Sequence, residues 1–223
     1  MSRPQTPGVV SPAGFLVVLD ADSTLIENEA IELLAEEAGA LEHVARVTER
    51  AMRGELDFAA SLRERVATLA GLSTSVFDVV RERITVTRGA TELIAGLQRA
   101  GSRVGVVSGG FHELLDPLGS RLGLDHWRAN RLEVVDGRLT GNVSGPIIDA
   151  RAKADTLAEW AAADGIPMQR TVAVGDGAND LLMMHAAGLS VAFNAKPAVR
   201  ERADVTAARI DLSDVLPLLG LRG

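Results

Sequence analysis

Short runs of apolar residues alternate along the chain with longer segments in which apolar residues recur at helical spacing. The clearest short runs lie at residues 15–19 (FLVVL), 103–107 (RVGVV) and 171–174 (TVAV). Continuous apolar runs of this length are typical of parallel strands that are buried on both faces. Because helical segments separate these runs, the pattern predicts an α/β fold with a doubly wound parallel sheet.

The segment after the first predicted strand is too long to be a simple crossover between neighbouring strands. Its apolar residues recur at helical spacing, and three glycines break it into short helices. We therefore expect residues 28–88 to form a small helical cap inserted after the first strand, while residues 15–27 and 89–223 form the α/β core. Residues 1–14, which are rich in proline, glycine and serine, are expected to form a flexible leader.

The rest of the chain continues the alternation of helices and strands. Helices are predicted near residues 90–100, 111–122 and 211–219, and from Ala150 onward; short strands are predicted near 131–135, 138–143, 189–193 and 204–206. Asp136-Gly137 is a strong two-residue turn signal, so the strands on either side of it should form a hairpin.

Composition restricts the possible partners. The 223 residues carry a net charge of −7, which argues against a nucleic-acid or anionic-membrane partner because both need a basic face. The chain has no cysteine, which excludes disulfides, zinc–thiolate sites and a cysteine nucleophile. No apolar run is long enough to span a membrane and no signal peptide is recognisable, so we expect a cytoplasmic location. Composition indicates no oligomeric state.

Polar residues that could take part in catalysis or binding lie at one edge of the predicted sheet. They are Asp20 and Asp22 after the first strand, Ser108 and Gly109 after the second, Lys153 in the helix from Ala150, and Asp176, Asn179 and Asp180 after the strand at 171–174. Taken singly, each is more often a turn, a helix cap or a solvated surface residue. Open α/β sheets bind ligands at the carboxyl edge of their strands, so the joint arrangement favours a functional site.

The residue types at this edge favour phosphoryl transfer. A hydroxyl beside glycine amides can bind phosphate oxygens, and a lysine supplies a compact positive charge. Carboxylates without histidine or cysteine suit a hard cation such as Mg²⁺. Where a phosphate site and a metal site lie together, an aspartate can attack phosphorus and form an aspartyl-phosphate intermediate.

The same segments resemble a known family over about residues 16–216. They are LDADSTLIENEAI (19–31), AMRGELDFAASLRERV (51–66), VVSGGF (106–111), ANRL (129–132), AK (152–153) and VAVGDGANDLLM (172–183). On these motifs the chain resembles the haloacid dehalogenase-like phosphatase superfamily and, within it, the phosphoserine phosphatases. Relatives often carry a bulkier residue at the position of Ala21, a departure that changes packing rather than chemistry.

The resemblance implies hydrolysis of O-phospho-L-serine to L-serine and phosphate, the last step of serine biosynthesis. It implies that Asp20 is the nucleophile and that Asp22 acts as general acid and then as general base. Mg²⁺ would be held by the Asp20 carboxylate, the Asp22 backbone carbonyl and Asp176. The phosphoryl oxygens would be held by Ser108, Gly109, Lys153 and Asn179, and Asp180 would support the site.

In the cap, the resemblance implies that Glu29 pairs with the substrate ammonium and Arg63 with its carboxylate. Met52 and Phe58 would line the pocket. Without the resemblance, these four residues would be assigned to solvated helix surfaces and to the packing of the cap. No regulatory domain precedes the core in the sequence, so amino-acid feedback through such a domain is not expected.

Three alternatives remain. An enzyme of the same mechanism could act on another small phosphomonoester or transfer phosphate to an acceptor alcohol. A receiver domain is also a parallel sheet with a phosphorylated aspartate, but the helical insertion and Asp22 argue against that class. A nucleotide kinase or esterase is disfavoured because G-x-x-x-x-G-K-[ST] and G-x-S-x-G are both missing.

Overall fold

The computed structural model describes residues 14–207 and 209–221, and a seven-stranded sheet forms the centre of this region. The strands are β1 (Leu16–Leu19), β2 (Arg103–Phe111), β3 (His126–Val135), β4 (Arg138–Ser144), β5 (Thr171–Gly175), β6 (Leu189–Ala192) and β7 (Val205–Thr206). They lie in the order β4-β3-β2-β1-β5-β6-β7, and β4 is antiparallel to β3 while the other pairs are parallel. The predicted leader, apart from Gly14, lies outside the described residues.

Ten α-helices are found in the described residues. They are α1 (Ala30–Glu37), α2 (Leu41–Met52), α3 (Phe58–Ala67), α4 (Val76–Arg83), α5 (Ala90–Arg99), α6 (His112–Leu122), α7 (Ala150–Ala163), α8 (Leu181–Ala186), α9 (Pro197–Arg200) and α10 (Val215–Leu218). Among the helices of these two ranges, none combines the length and the apolar character needed to cross a bilayer.

The central strand β1 shows why the sheet is covered on both faces. Successive side chains of a strand point to opposite faces. Val17 and Leu19 accordingly pack in one apolar cluster with residues of α5, and Leu16 and Val18 pack in another with residues of α7. All four side chains are fully buried, which confirms the prediction of a doubly wound sheet.

Two strands are longer than the apolar pattern predicts. β2 continues through Ser108 to Phe111, and β3 begins at His126 and pairs with β2 before it enters the hairpin. Residues 126–128 are polar or half-buried, so their sequence carries no apolar run; they are ordered as strand by backbone pairing with β2. The hairpin turn at Asp136-Gly137 is confirmed, with both residues at positive φ.

Helices α1–α4, which we call the helical insertion, have a hydrophobic cluster of their own. Leu34, Leu62 and Val80 pack there against Leu132 and Leu139 of the β3–β4 hairpin. Glycines at the predicted breaks, Gly39, Gly54 and Gly71, follow α1, α2 and α3 with φ of 65°, 78° and 87°. Only glycine adopts this conformation without steric cost, which is why the helices end there.

Two chain segments join the helical insertion to the core, and they bind each other. Ile26 and Val86 form an isolated antiparallel bridge. The Glu27 amide donates to the Thr85 carbonyl and the Thr87 amide to the Leu25 carbonyl, both at 2.9 Å. The chain therefore enters and leaves the insertion through one narrow, two-stranded connection, while residues 71–74 make three further backbone hydrogen bonds to the β3–β4 hairpin.

Candidate active site

A cavity of about 440 Å³ lies between the carboxyl edge of the sheet and the helical insertion. Most of the predicted site residues line it: Asp20, Asp22, Glu29, Met52, Phe58, Gly109, Asp176 and Asn179. Asp20, Gly109 and Asp176 meet here because parallel strands β1, β2 and β5 all end at this edge, whereas Met52 and Phe58 come from the helical insertion.

The turn after β1 places two carboxylates at the bottom of the cavity. The Asp20 amide donates to the Val174 carbonyl at 2.9 Å, which ties the turn to β5. Asp20 Oδ1 accepts a hydrogen bond from the Ala21 amide at 2.7 Å, and Asp22 Oδ1 accepts one from the Ala30 amide at 3.0 Å. Both acids are thus held by backbone donors.

Lys153 lies beneath Asp20 rather than in the cavity wall. It is fully buried in the first turns of α7, and its Nζ lies 2.7 Å from Asp20 Oδ1 and 2.8 Å from Asp180 Oδ1. Burial by itself would lower the pKa of Lys153, but the charges of Asp180 and Asp20 outweigh burial and raise it. Lys153 therefore carries a permanent positive charge next to the predicted nucleophile.

Asp180 is buried as well, and it holds Lys153 in place. Besides accepting from Lys153, it accepts a hydrogen bond from the Gly177 amide at 3.1 Å through Oδ2. Asp180 therefore links Lys153 of α7 to the loop that follows β5.

Three carboxylates have a geometry and charge that suit a metal cation. Asp20, Asp176 and Asp180 each offer one oxygen, and these oxygens lie within 4.8 Å of one another. Burial and the charge of Asp180 raise the pKa of Asp20, although the charge of Lys153 acts in the opposite direction. Burial and the charges of Asp180 and Glu29 raise the pKa of Asp176 to about 6. A cation among these oxygens would offset that repulsion, and a set of carboxylates alone suits a hard divalent ion.

Asp22 lies outside this carboxylate cluster, in a different electrostatic environment. Burial and the charge of Glu29 raise the pKa of Asp22 to about 7, although the Ala30 amide favours the ionised form. A carboxyl group with this pKa can release and recover a proton near neutral pH.

Glycines at the end of β2 let two other segments approach closely. A Cβ atom at Gly109 would lie 3.0 Å from Cζ of Phe58, and one at Gly110 would lie 3.1 Å from Oδ2 of Asp22. The Ser108 hydroxyl accepts a hydrogen bond from the Gly110 amide at 2.8 Å, so its proton can point elsewhere. Ser108 is buried and borders a small neighbouring cavity rather than the main one.

Arg63 is not where the sequence analysis placed it. Its side chain is exposed and does not line the cavity, whereas Arg65 does. The two residues lie about 200° apart around α3, so only one of them can face the site. Arg65 is seven residues, or about two turns, from Phe58 and therefore shares its face. The assignment of the cavity arginine is corrected to Arg65.

The surroundings of Arg65 suit an anion-binding role. Its Nε donates to the Ser61 carbonyl at 3.2 Å, which fixes the base of the guanidinium. Burial lowers the pKa of Arg65, while the nearby carboxylates of Glu29, Asp22 and Glu32 raise it. A partly desolvated guanidinium beside a cavity is well placed to bind a carboxylate.

The segment from β1 through α8 matches a known family. A family model described as haloacid dehalogenase-like hydrolase covers residues 17–185. The chain belongs to the haloacid dehalogenase-like hydrolases.

This haloacid dehalogenase-like hydrolase is similar to curated phosphoserine phosphatases. It is 58% identical to one from Streptomyces coelicolor over 92% of this chain, and it spans about half (50%) of that relative's length. It is 51% identical to one from Streptococcus thermophilus over 92% of this chain and 95% of the relative. A solved structure of a phospho-aspartyl intermediate analogue of phosphoserine phosphatase matches with a TM-score of 0.87 and 44% identity, over 93% of this chain and 99% of that one.

The sequence analysis missed three further residues of this hydrolase's site. Arg65 could have been found from the helical period, because Phe58 had already been assigned to the pocket. Lys196 also lines the cavity, and its amide donates to the Asp176 carbonyl at 3.2 Å. Ser23 contacts Glu29 from behind the cavity wall. Ser23 lies within the LDADSTLIENEAI segment that carries the resemblance, although no role was assigned to it there, and Lys196 shows no periodicity or motif that would separate it from an ordinary loop residue.

Proposed function

We propose that this haloacid dehalogenase-like hydrolase is a phosphoserine phosphatase that hydrolyses O-phospho-L-serine to L-serine and phosphate, the last step of serine biosynthesis. The observation that carries the proposal is the charge arrangement of the cavity. Asp20, Asp22 and Lys153 form a phosphoryl-transfer site at its bottom, and Glu29 and Arg65 offer opposite charges for an ammonium and a carboxylate. The curated relatives named above support this substrate.

In the first half of the proposed reaction, a carboxylate oxygen of Asp20 attacks phosphorus. The bond between phosphorus and the serine oxygen breaks, and Asp22 gives its proton to that oxygen as serine leaves. Lys153, Ser108, the Gly109 amide and Asn179 would bind the phosphoryl oxygens, whose charge increases in the transition state.

In the second half, water hydrolyses the aspartyl-phosphate. Asp22, now ionised, takes a proton from the water as its oxygen attacks phosphorus, and the bond to Asp20 breaks. Phosphate leaves, and both acids return to their starting states. The pKa of about 7 for Asp22 fits a group that must donate in one step and accept in the next.

We propose Mg²⁺ as the cation of the carboxylate site, held by Asp20, Asp176 and the backbone carbonyl of Asp22. When bound, Mg²⁺ would neutralise charge on the phosphoryl oxygens and keep Asp20 ionised. Asp180 is bound to Lys153 and the Gly177 amide, which favours a supporting role over direct ligation.

Replacing Asp176 by alanine is expected to raise the Mg²⁺ concentration needed for activity steeply. The variant loses a charged ligand while the other carboxylates of the site remain. The measurement is phosphate release against Mg²⁺ concentration in both proteins, with Ca²⁺ in a parallel series. Ca²⁺ should bind but support the reaction poorly, because it is a larger ion than Mg²⁺ and its coordination is less strictly octahedral. Full activity in excess chelator would refute the metal mechanism.

We propose that residues 28–88 act as a cap that closes over bound substrate. Met52 lines the cavity but is 68% exposed, as expected for a wall residue that awaits closure. The narrow connection at Leu25–Asn28 and Thr85–Thr87 supplies a hinge. Closure would expel water and strengthen the charge pairs of Glu29 and Arg65 with the substrate.

Replacing Arg65 by alanine is expected to lower kcat/KM for phosphoserine by about 2–4 kcal/mol, or about 30- to 900-fold, the range for breaking a desolvated charge pair. Glu29→Gln should cost a similar amount on the ammonium side. The measurement compares kcat/KM for phosphoserine with kcat/KM for a phosphomonoester that lacks both charges. The ratio of kcat/KM for phosphoserine to kcat/KM for this neutral ester should fall in both variants.

Arg63→Ala is the matched control, since it removes the same charge from the same helix but lies outside the cavity. We expect it to change either activity by less than about twofold. If Arg65→Ala lowers kcat/KM equally for both substrates, Arg65 stabilises the fold or binds the phosphate, and the phosphoserine proposal loses its main support. The cytoplasmic location expected from the sequence stays a prediction.

A further inference from the structure

Ser23 has a backbone conformation that serine rarely adopts. Its φ of 55° and ψ of 6° place it in the left-handed region, in the turn directly after the two acids. The other non-glycine residues with positive φ in the described ranges are Asp136 and Asn194, whose side chains tolerate this region better. Such a conformation persists where surrounding contacts enforce it, and it is found most often at functional sites.

The contact made possible by this conformation is a hydrogen bond to Glu29. The Ser23 hydroxyl donates to Glu29 Oε1 at 2.7 Å, and the Ser23 amide donates to the Asn28 carbonyl at 3.3 Å. Glu29 lines the cavity, whereas Ser23 does not. Ser23 therefore contacts the carboxylate without itself lining the cavity.

This hydrogen bond crosses the connection between the core and the helical insertion. Ser23 belongs to the turn after β1, while Glu29 directly precedes α1, and the hinge residues Ile26–Asn28 lie between them. Arg65, by contrast, lies on α3 inside the insertion. The hydrogen bond thus ties one of the two proposed recognition charges to the core, whereas the other is carried by α3 of the insertion.

We propose that Ser23 is a positioning residue that holds the Glu29 carboxylate toward the ammonium position and so sets the preference for substrates with an ammonium group near the phosphate. The inference rests on the proposed function for the identity of that substrate. Its physical basis is that a hydroxyl donor fixes one carboxylate oxygen and restricts the rotamers of a long side chain before substrate binds.

The kinetic test uses three variants of the full chain and the ratio of kcat/KM for phosphoserine to kcat/KM for a phosphomonoester without ammonium or carboxylate. Ser23→Ala and Ser23→Gly should each lower this ratio about tenfold, the value of one hydrogen bond to a charged group. Ser23→Asn should retain most of it, because asparagine tolerates positive φ and can donate to Glu29. In a Glu29→Gln background, Ser23→Ala should lower the ratio no further.

Thermal stability separates positioning from a purely structural role. Ser23→Gly loses the same hydrogen bond as Ser23→Ala but relieves the strain of the positive φ, so its Tm should be about 2–4 °C above that of Ser23→Ala although both lose the preference for phosphoserine. Ser23→Ala keeps the strain, loses the hydrogen bond and should not raise Tm. If the ratio followed Tm across the three variants, or if Ser23→Ala were additive with Glu29→Gln, the positioning role would be overturned.

Crystal structures of the wild type and Ser23→Ala test the inference independently of the substrate. We expect the Glu29 side chain to lose its defined position at the cavity wall in the variant. An unchanged Glu29 would overturn the proposal even if phosphoserine is the substrate. Conversely, a wild-type enzyme without preference for phosphoserine would refute the proposed function, while the two structures would still show whether Ser23 positions Glu29.

Discussion

Replacing Asp20 by asparagine is expected to lower turnover of phosphoserine by about 10⁵- to 10⁶-fold, as the loss of a nucleophile does in other enzymes. An amide oxygen cannot attack phosphorus, so no aspartyl-phosphate can form. The fold should survive, because the side chain keeps its size and Lys153 keeps its ion pair with Asp180 at 2.8 Å. The measurements are phosphate release and the thermal unfolding transition, both on freshly purified protein.

The stability of this variant provides its control. Burial and the charge of Asp180 disfavour the ionised form of Asp20, so a neutral side chain should leave Tm unchanged or raise it. If the variant unfolds at a lower temperature than the wild type, its loss of activity would be explained by a damaged fold. Substantial turnover by a stable Asp20→Asn variant would show that another group attacks phosphorus.

The Asp22→Asn variant is expected to lose about 10²- to 10⁴-fold in kcat/KM for phosphoserine, the range for lost general acid–base catalysis. Asparagine can still accept the hydrogen bond from the Ala30 amide through its carbonyl oxygen, so the local structure should be retained. What is lost is the proton that the serine oxygen needs as it leaves.

An aryl phosphate separates this role from a general effect of the substitution. Its leaving group departs as a stable anion and needs no proton, so Asp22→Asn should slow its release less than that of serine. The test is the kcat/KM of both substrates in wild type and variant, with Asp20→Asn as the variant in which both should fail. Equal losses for the two substrates would contradict an acid role for Asp22 in the first step.

Much of the fold followed from local pattern. The apolar run of β1 was recognisable as a strand buried on both faces because it is short and continuous, and all four of its side chains are fully buried in the structure. Gly39, Gly54 and Gly71 were recognisable as helix ends because a positive φ favours glycine at any such position. The first half of β3 could not be predicted, since its polar residues are ordered by pairing with β2 rather than by a pattern of their own.

The candidate site, like the fold, could be predicted from the sequence only in part. Asp20, Asp22, Gly109 and Asp176 could be placed together from sequence, because the ends of neighbouring parallel strands meet at one edge whatever the details of packing. The cavity arginine could not be identified by counting charges in α3. Arg63 and Arg65 differ in helical phase, and only the phase that Arg65 shares with Phe58 separates them.

The sequence by itself determined which acids and glycines stand at the strand ends, the lysine in the helix from Ala150, and the order in which they reach one edge. These are properties of short segments, whose conformation depends on neighbouring residues. Only the tertiary structure decided that Lys153 is buried between Asp20 and Asp180, and that the Ser23 hydroxyl donates to Glu29. Both depend on contacts between segments that the fold brings together, and local periodicity carries no information about such distances.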